Sequence, residues 1–440
     1  MQRYAFAAVL AIYLALASQY AALTPEWQAP DEPAHYNVIR QIAQTGALPV
    51  LEPGDYDQAF LDDVIGHGFP PGVVLDRVQY QDYQPPLYYL LAVPAFWLGG
   101  GALVVVRLVS VLCGAGALIF AYLALRALTG PGSWLPVLAV GVMAFIPQHL
   151  AILASVNNDS LSELWVCAGA WLMIREVRSP RCGLWHWALP VVLGLAFLTK
   201  VWAYVLVPAA GVLLLWHWRE RGFAAAFRRG LTIAVPALLL GALYWGRNTG
   251  VCGPTDFVCG THHNTIVVGQ PTTAAGVAAK GLTPYLEAGA QTTFTSFWGQ
   301  FGWMGVPLDL RTVKILLIVT VLVAAAGAVA MWRAQRGLSA DQRWALAVVA
   351  MLGLSTAGVF IYYNLEFQQF QGRYLYSALI AIGLWAAAGL REWARWALAV
   401  ARRFVLPPTW AEPALSLAAV AGLALFAVWA LYRVVVPNLS

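Results

Sequence analysis

The chain has 440 residues, of which 60% are hydrophobic and only 11% are charged. Soluble domains carry roughly 25% charged residues, and one core cannot absorb such an apolar excess, so most of these side chains must face lipid or lipid-buried helices. The composition excludes a soluble protein, gives no reason to expect a nucleic-acid partner, and predicts an all-α polytopic membrane protein.

The first hydrophobic segment, residues 4–23, follows a short Met-Gln-Arg start. It resembles a signal peptide, but about 20 apolar residues are enough to cross a bilayer. We interpret it as a retained first transmembrane helix.

Further along the chain, apolar segments of spanning length recur and predict about eleven transmembrane helices in total. The predicted spans are 4–23, 102–125, 135–150, 158–176, 186–199, 202–217, 230–246, 314–332, 343–363, 374–391 and 412–432.

The charges predict the orientation. Residues 24–85 contain ten acidic residues and two basic ones, which indicates an external loop. Arginines cluster in the short loops on the other side, and the positive-inside rule makes those loops cytoplasmic. The expectation is therefore a multi-pass protein of a bacterial-type plasma membrane, with its N-terminus inside and its C-terminus outside.

Two segments decide the alternation. Residues 86–98 are apolar but too short to cross upright, so we predict a re-entrant or interfacial helix there. Residues 186–217 are predicted to form a hairpin that carries Lys200 to the outer face. Counting either segment as a single full span would place the downstream arginine clusters outside.

Two external loops are long, at 24–101 and 247–313, and the rest of 1–440 is predicted to be one membrane domain. The first loop is expected to carry amphipathic surface helices. Its Asp-Glu-Pro-Ala-His sequence places Asp31, Glu32 and His35 at the start of such a helix, at residues 31–45. Helix capping by Asp31 is one interpretation, and a general base at the membrane mouth is the other.

Other polar residues are predicted to reach the same outer surface. Asp159 begins the fourth predicted span, where it is either a helix cap or a site carboxylate. Lys200, Arg247 and Arg373 are cations on the outer side. Arginine there can simply extend to lipid headgroups, but several cations beside carboxylates are typical of a phosphate site with an adjacent base.

Five short motifs, in this order, resemble the GT-C superfamily of membrane glycosyltransferases. The resemblance is nearest to protein O-mannosyltransferases and to the aminoarabinose transferases of lipid A. The motifs are Asp31-Glu32, the Gln-Pro-Pro-Leu-Tyr-Tyr run at 84–89, Asn158-Asp159, the Gly-Leu-Ala-Phe-Leu-Thr-Lys run at 194–200, and the Gln-Gly-Arg-Tyr run at 371–374.

This resemblance implies a polyprenyl-phosphate sugar donor, transfer with inversion, and an external active site. By analogy Asp31 is the base, and Glu32, His35 and Asp159 complete the catalytic site. Arg247, Arg373 and Lys200 would bind the donor phosphate. Aminoarabinose transferases have a lysine where this chain has Gln84, so in this chain the cation that binds the donor phosphate must come from another position.

The resemblance requires no cofactor. A divalent metal is compatible with the oxygen and nitrogen ligands that Asp31, Glu32, Asp159 and His35 offer, although no motif demands one. Cys252 and Cys259 lie in the second external loop with six residues between them, so a disulfide is feasible there. Cys113, Cys167 and Cys182 are expected to be free thiols.

The expected function is transfer of a sugar from a polyprenyl-phosphate donor to a hydroxyl group on a lipid, glycan or protein acceptor. Two alternatives stay open at this point. A polysaccharide polymerase or ligase would share the lipid-linked donor and the external site. A flippase or transporter would instead place its charges near the membrane midplane, often in repeated halves.

Overall fold

The computed structural model describes residues 1–70, 72–179, 185–403, 406 and 408–439. Over these residues the regular secondary structure is almost entirely helical. A single antiparallel ribbon joins β1 (Gln300–Phe301) to β2 (Val306–Pro307), with Gln300 opposite Pro307. The all-α prediction is confirmed.

Eight helical stretches among the described residues are long and apolar enough to cross a membrane. Three of them are composite. Two begin with a 3₁₀ turn, at Val201–Val205 and at Gly372–Ala378. The last is interrupted by a π turn at Leu431–Val435. The spanning helices are α1 (Gln2–Leu23), α5 (Leu103–Thr129), α10 (Leu206–Arg221), α11 (Phe223–Val251), α15 (Leu310–Ala334), α16 (Ala340–Glu366), α17 (Leu379–Ala401) and α18 with α19 (Ala411–Ala430, Val436–Leu439).

A ninth span forms if α6 (Leu135–Phe145) and α7 (Pro147–Leu153), which meet at 72°, cross together. The predicted segments 158–176 and 186–199 are the helices α8 (Asp159–Arg178) and α9 (Trp185–Phe197). α8 carries several charged residues and α9 has only 13 residues. Both therefore fall outside the eight or nine, and the count of eleven stays a prediction.

The predicted non-spanning segment at 86–98 is α4 (Leu87–Leu98), whose 12 residues are too few to cross a bilayer upright. Shorter helices occupy the two long loops of the sequence. They are α2 (Glu32–Thr45), α3 (Gln58–Gly66), α12 (Gly260–Ile266), α13 (Thr273–Lys280) and α14 (Leu282–Trp298).

The two long loops contact each other directly. Trp303 Nε1 donates to the carbonyl of Trp27 over 2.8 Å, and His262 Nε2 lies 2.9 Å from the carbonyl of Leu51. A disulfide joins Cys252 to Cys259 at the end of α11. Cys113 and Cys167 are free, and Cys182 lies outside the described residues.

The buried guanidinium of Arg107 ties the first loop to the helix bundle. Arg107 lies on α5 and is 1% exposed. It donates to both carboxylate oxygens of Glu32, at 2.8 and 2.6 Å, and to the carbonyls of Ala21, Thr24 and Pro25. One side chain therefore fixes the end of α1, the turn after it and the start of α2 against α5.

Replacing Arg107 alone should be strongly destabilising, because it leaves the Glu32 carboxylate buried without its partner. Such an uncompensated charge costs about 3–5 kcal/mol. We expect Arg107→Met to lower the unfolding free energy by that amount in detergent, measured by thermal unfolding at pH 7.

The matched control is Arg40→Met, because Arg40 makes a more exposed ion pair with Asp76. That change should cost within about 1 kcal/mol. Replacing Glu32 and Arg107 together should recover much of the loss. The anchoring role is contradicted if Arg107→Met is no more destabilising than Arg40→Met.

Candidate functional site

A cavity of about 460 Å³ opens where the start of α2, the loop at 80–84 and the two 3₁₀ turns converge. We call it the main cavity. It combines charged groups with aromatic rings. Its lining includes Asp31, His35, Tyr56, Tyr80, Gln81, Tyr83, Gln84, Lys200, Trp202, Trp303, Tyr363, Arg373 and Tyr374.

Asp31 faces this cavity because of its backbone conformation. It occupies the N-cap position of α2 with a left-handed φ of 66° and makes no side-chain capping bond. The capping interpretation of Asp31 is therefore wrong for its side chain. The carboxylate instead accepts from Arg373 Nη2 at 2.5 Å and from the Tyr80 hydroxyl at 2.8 Å.

These contacts set the charge of Asp31. Burial alone would raise the pKa of this carboxyl, but the charge of Arg373 and the hydrogen bonds from Arg373 and Tyr80 together lower it to about 2. Asp31 is therefore ionised throughout the physiological pH range.

Arg373 is held in position by a close backbone approach. A Cβ at Gly372 would lie 2.3 Å from the backbone nitrogen of Phe297, so only glycine fits beside the end of α14. The N–H of Gly372 donates to Ser296 Oγ over 2.8 Å. Gly372 thus lets the start of the 3₁₀ turn Gly372–Ala378 lie against α14, and Arg373 turns toward Asp31.

A second ion pair lies beside the first. Lys200 Nζ is 2.6 Å from Asp159 Oδ1. Asp159 begins α8, where its N–H donates to Asn157 Oδ1 over 2.9 Å, and Lys200 precedes the 3₁₀ turn Val201–Val205. Each cation of the cavity lining is therefore paired with a carboxylate: Arg373 with Asp31, and Lys200 with Asp159.

His35 stands among these four charges. Its Nδ1 lies 2.8 Å from the hydroxyl of Tyr89. Burial and the positive charge of Lys200 lower the pKa of His35 to about 3, against the opposing influence of Asp31 and Asp159. The imidazole is therefore neutral at pH 7 and can offer a hydrogen bond without adding charge.

Two of the predicted site residues lie elsewhere. Glu32 turns inward to Arg107, and its Oε1 also accepts from the backbone N–H of Val156 over 3.0 Å. Arg247 donates to the carbonyls of Leu48 and Pro49, and it is not part of the cavity lining. The structure brings Asp31, His35, Lys200 and Arg373 into the cavity, with Asp159 attached through Lys200.

Two comparisons decide the fold. Residues 83–245 match the family model described as dolichyl-phosphate-mannose-protein mannosyltransferase. The oligosaccharyltransferase AglB from Archaeoglobus fulgidus, in complex with an inhibitory peptide and a dolichol-phosphate, superposes with a TM-score of 0.52 at 12% identity. That match covers 98% of this chain and 55% of the archaeal one. The chain has the GT-C fold. The resemblance to GT-C membrane glycosyltransferases, predicted from the motifs, is confirmed.

Two further solved structures are similar to the chain. ArnT from Cupriavidus metallidurans bound to undecaprenyl phosphate has 17% identity and a TM-score of 0.49, covering 99% of this chain and 73% of ArnT. The Pmt1-Pmt2 protein O-mannosyltransferase complex of Saccharomyces cerevisiae bound to the sugar donor has 17% identity and a TM-score of 0.40, covering 55% of this chain and 33% of that one. No curated protein matches the chain in sequence.

The GT-C cavity also contains aromatic groups that the motifs did not predict. The rings of Trp202 and Tyr374 stack in parallel, 4.9 Å apart, and Tyr363 meets the Tyr374 ring edge-on. Trp202 follows Lys200 by two residues, and Tyr374 follows Arg373 directly. The stack therefore links the two segments that carry the cavity cations. The sequence signal for these rings was their closeness to Lys200 and Arg373 in the chain. Their stacking could not be predicted from spacing, because Trp202 and Tyr374 are far apart in the sequence.

The carboxylates that the sequence offers as possible metal ligands are engaged with protein groups. Asp31 pairs with Arg373, Glu32 with Arg107, and Asp159 with Lys200. Within the described ranges, no group of three or more His, Cys, Asp or Glu side chains is arranged to hold a metal ion.

The loop that forms one cavity wall conceals a buried carboxyl group. Asp82 lies between wall residues and is 3% exposed, and among the described residues neither of its carboxylate oxygens has a hydrogen-bond partner. Burial and the nearby charge of Asp55 raise its pKa to about 8. The wall therefore contains a carboxyl group that is largely protonated near neutral pH.

This carboxyl should make stability depend on pH. An unfolded Asp titrates near pH ~3.9, so between about pH 4 and about pH 8 the folded protein retains a proton that the unfolded chain has lost. Stability from this group then falls as pH rises through that window. Relative to wild type, we expect Asp82→Asn to gain melting temperature between pH 5 and pH 8.

Gln79→Asn, a change in the same segment that does not titrate, should shift the melting temperature equally at both pH values. The assignment fails if the difference between Asp82→Asn and wild type is the same at pH 5 and pH 8, or shrinks as pH rises.

Proposed function

We propose that the protein is a glycosyltransferase that moves a sugar from a polyprenyl-phosphate donor to an acceptor hydroxyl group at the external membrane face. The observation that carries the proposal is that two cations, Arg373 and Lys200, line one cavity and are each paired with a carboxylate. The family model covers Lys200 and Asp159 and is named for a dolichyl-phosphate sugar donor. The structurally similar AglB was solved with a dolichol-phosphate.

In this proposal Arg373 and Lys200 bind the donor phosphate. Both cations reach the cavity, and both are held by carboxylates at 2.5–2.6 Å. A guanidinium matches two phosphate oxygens with its planar pair of donors, while an ammonium acts as a compact charge. An incoming phosphate would therefore compete with Asp31 and Asp159 for the same N–H groups.

That competition activates the base. While Arg373 holds Asp31, the low pKa of the carboxylate makes it a weak proton acceptor. Once the phosphate shares the charge of Arg373, the pKa of Asp31 rises toward its ordinary value, and the carboxylate is free to turn to the acceptor. Donor binding and base activation are thus the same event.

The chemical step then balances without a cofactor. The acceptor oxygen loses its proton to Asp31 and bonds to the anomeric carbon, and the bond from that carbon to the phosphate oxygen breaks, with its electron pair going to the phosphate. Attack opposite the leaving group inverts the anomeric centre. The lipid phosphate gains a negative charge, which the preorganised Arg373 and Lys200 stabilise.

The other predicted residues have supporting roles in this proposal. His35 stays neutral and offers a hydrogen bond within the cavity. Asp159 holds Lys200 in place. Glu32 acts through Arg107 by fixing the start of α2, and hence Asp31. We propose that Arg247 fixes residues 48–49, since its guanidinium is bound by their carbonyls.

Asp31→Asn tests the base. The amide keeps the shape of the side chain but cannot accept the proton, so turnover should fall about 100-fold or more. Donor binding should be kept or strengthened, because the competing charge of Asp31 is gone. The assay is sugar transfer from a polyprenyl-phosphate donor by purified protein in nanodiscs, with Glu32→Gln and Asp159→Asn in parallel. If Asp31→Asn transfers at the wild-type rate and Asp159→Asn is inactive, the base is Asp159.

Donor affinity tests the cations. A charge-assisted hydrogen bond is worth roughly 1.5–3 kcal/mol, so Arg373→Gln and Lys200→Gln should each weaken binding of polyprenyl phosphate by about 10- to 100-fold. Arg247→Gln is the matched comparison, and we expect it to keep wild-type affinity. Equal losses in Arg247→Gln and Arg373→Gln, or no loss in either cavity variant, would refute the assignment.

A further inference from the structure

A small polar chamber lies directly beside the main cavity. Its free volume is about 20 Å³, enough for one hydroxyl group or one water. It shares Trp202, Arg373 and Tyr374 with the main cavity lining. Its other polar walls include His149, Asp159 and Glu163.

The chamber contains a buried histidine–carboxylate pair. His149 is 0% exposed and Glu163 is 5% exposed. His149 Nδ1 lies 2.7 Å from the carbonyl of Met143, which only accepts, so Nδ1 carries a proton. His149 Nε2 lies 2.7 Å from Glu163 Oε2, and one shared proton must lie between them. The pair is neutral overall, and its geometry is fixed from both sides.

The remaining atoms of this chamber are unsatisfied. Among the described residues, Glu163 Oε1 has no hydrogen-bond partner, and neither have Arg373 Nε and Nη1, although all three atoms are buried. One wall therefore offers an acceptor and another offers donors. Buried polar groups of this kind are almost always paired in folded proteins, so the chamber is built for a polar group that both donates and accepts.

We propose that this chamber is the subsite for one hydroxyl group of the donor sugar, which accepts from Arg373 and donates to Glu163. The proposal rests on the proposed function, because Arg373 also binds the donor phosphate there. A sugar supplies hydroxyl groups close to its phosphate. A carboxylate has no hydrogen to donate to Glu163 Oε1, and a cation has no acceptor for the Arg373 N–H groups and would be repelled by their charge. The rings of Trp202 and Tyr374 suit the adjacent C–H surface of a sugar.

This assignment makes Glu163 a specificity residue. It lies four residues after Asp159, so α8 presents both carboxylates on one face. In this assignment Asp159 holds Lys200 at the phosphate, and Glu163, one helical turn further along α8, accepts a hydrogen bond from the sugar hydroxyl. A donor whose hydroxyl cannot enter the chamber leaves Glu163 and Arg373 unpaired, which is costly for binding.

The test compares two ligands on each variant: bare polyprenyl phosphate and a polyprenyl-phosphate hexose that wild type binds, taken from mannose, glucose and galactose. Glu163→Leu should weaken the sugar-linked ligand by about 10-fold or more, while the affinity for bare polyprenyl phosphate stays within about 3-fold. Glu163→Gln should stay near wild type for both ligands, because its amide can donate to His149 Nε2 and leave its oxygen in the chamber.

Glu392→Leu is the matched control, because Glu392 is a buried carboxylate that pairs with Arg333 and Arg395 outside the cavity. It should leave both affinities unchanged, and melting temperatures identify variants that fail to fold. If Glu163→Leu does not fold, the test uses Glu163→Gln with donors that each lack one hydroxyl group. The subsite then requires that wild type and Glu163→Gln both lose affinity for the same deoxy donor.

Three outcomes overturn the subsite. Equal weakening of both ligands by Glu163→Leu would mean that the chamber holds only a water that supports Arg373. Unchanged affinities would mean that it contributes nothing. If wild type binds bare polyprenyl phosphate but gains no affinity from any of the three hexoses, the sugar subsite alone is refuted. If wild type binds none of these ligands, the proposed function is refuted as well.

Discussion

One ion pair in the main cavity joins two distant parts of the chain and organises what surrounds it. Asp31 and Arg373 are 342 residues apart in the chain, yet the carboxylate and guanidinium meet at 2.5 Å. Each is placed by a local constraint: a left-handed backbone at Asp31 and the close approach of Gly372 to α14. The contact therefore forms only when the first loop and the last third of the chain are both folded.

The balance of charge explains how such a site can lie at a membrane. Unpaired charges near lipid are expensive, and the second pair, Asp159 with Lys200, leaves neither of the two cavity cations unpaired. In the proposed function, an anionic phosphate enters by replacing carboxylates as the partner of the cations, and the replaced carboxylate becomes the base. Arg107 would keep this rearrangement local, because it holds the start of α2 against α5.

The sequence predicted the fold class, the positions of the helices and the four side chains that meet in the main cavity. Apolar length is a strong signal for the fold class, because the bilayer allows few solutions, and the orientation inferred from the arginines stays a prediction. Three features were beyond the sequence. Glu32 pairs with Arg107, a buried partner 75 residues away that helix spacing does not name. Arg247 binds backbone carbonyls that leave no trace in a motif, and the stacking of Trp202 on Tyr374 depends on tertiary packing. Glu163 was within reach, since its spacing from Asp159 is one helical turn.

The central claim is that the cations of this cavity bind a lipid-linked phosphate and release Asp31. An experimental structure of the protein with bound polyprenyl phosphate tests it most directly. The account predicts phosphate density within hydrogen-bonding distance of both Arg373 and Lys200, with Asp31 no longer bonded to Arg373. Phosphate density at Arg247 or at the opposite membrane face, with the Asp31–Arg373 pair intact, would contradict it.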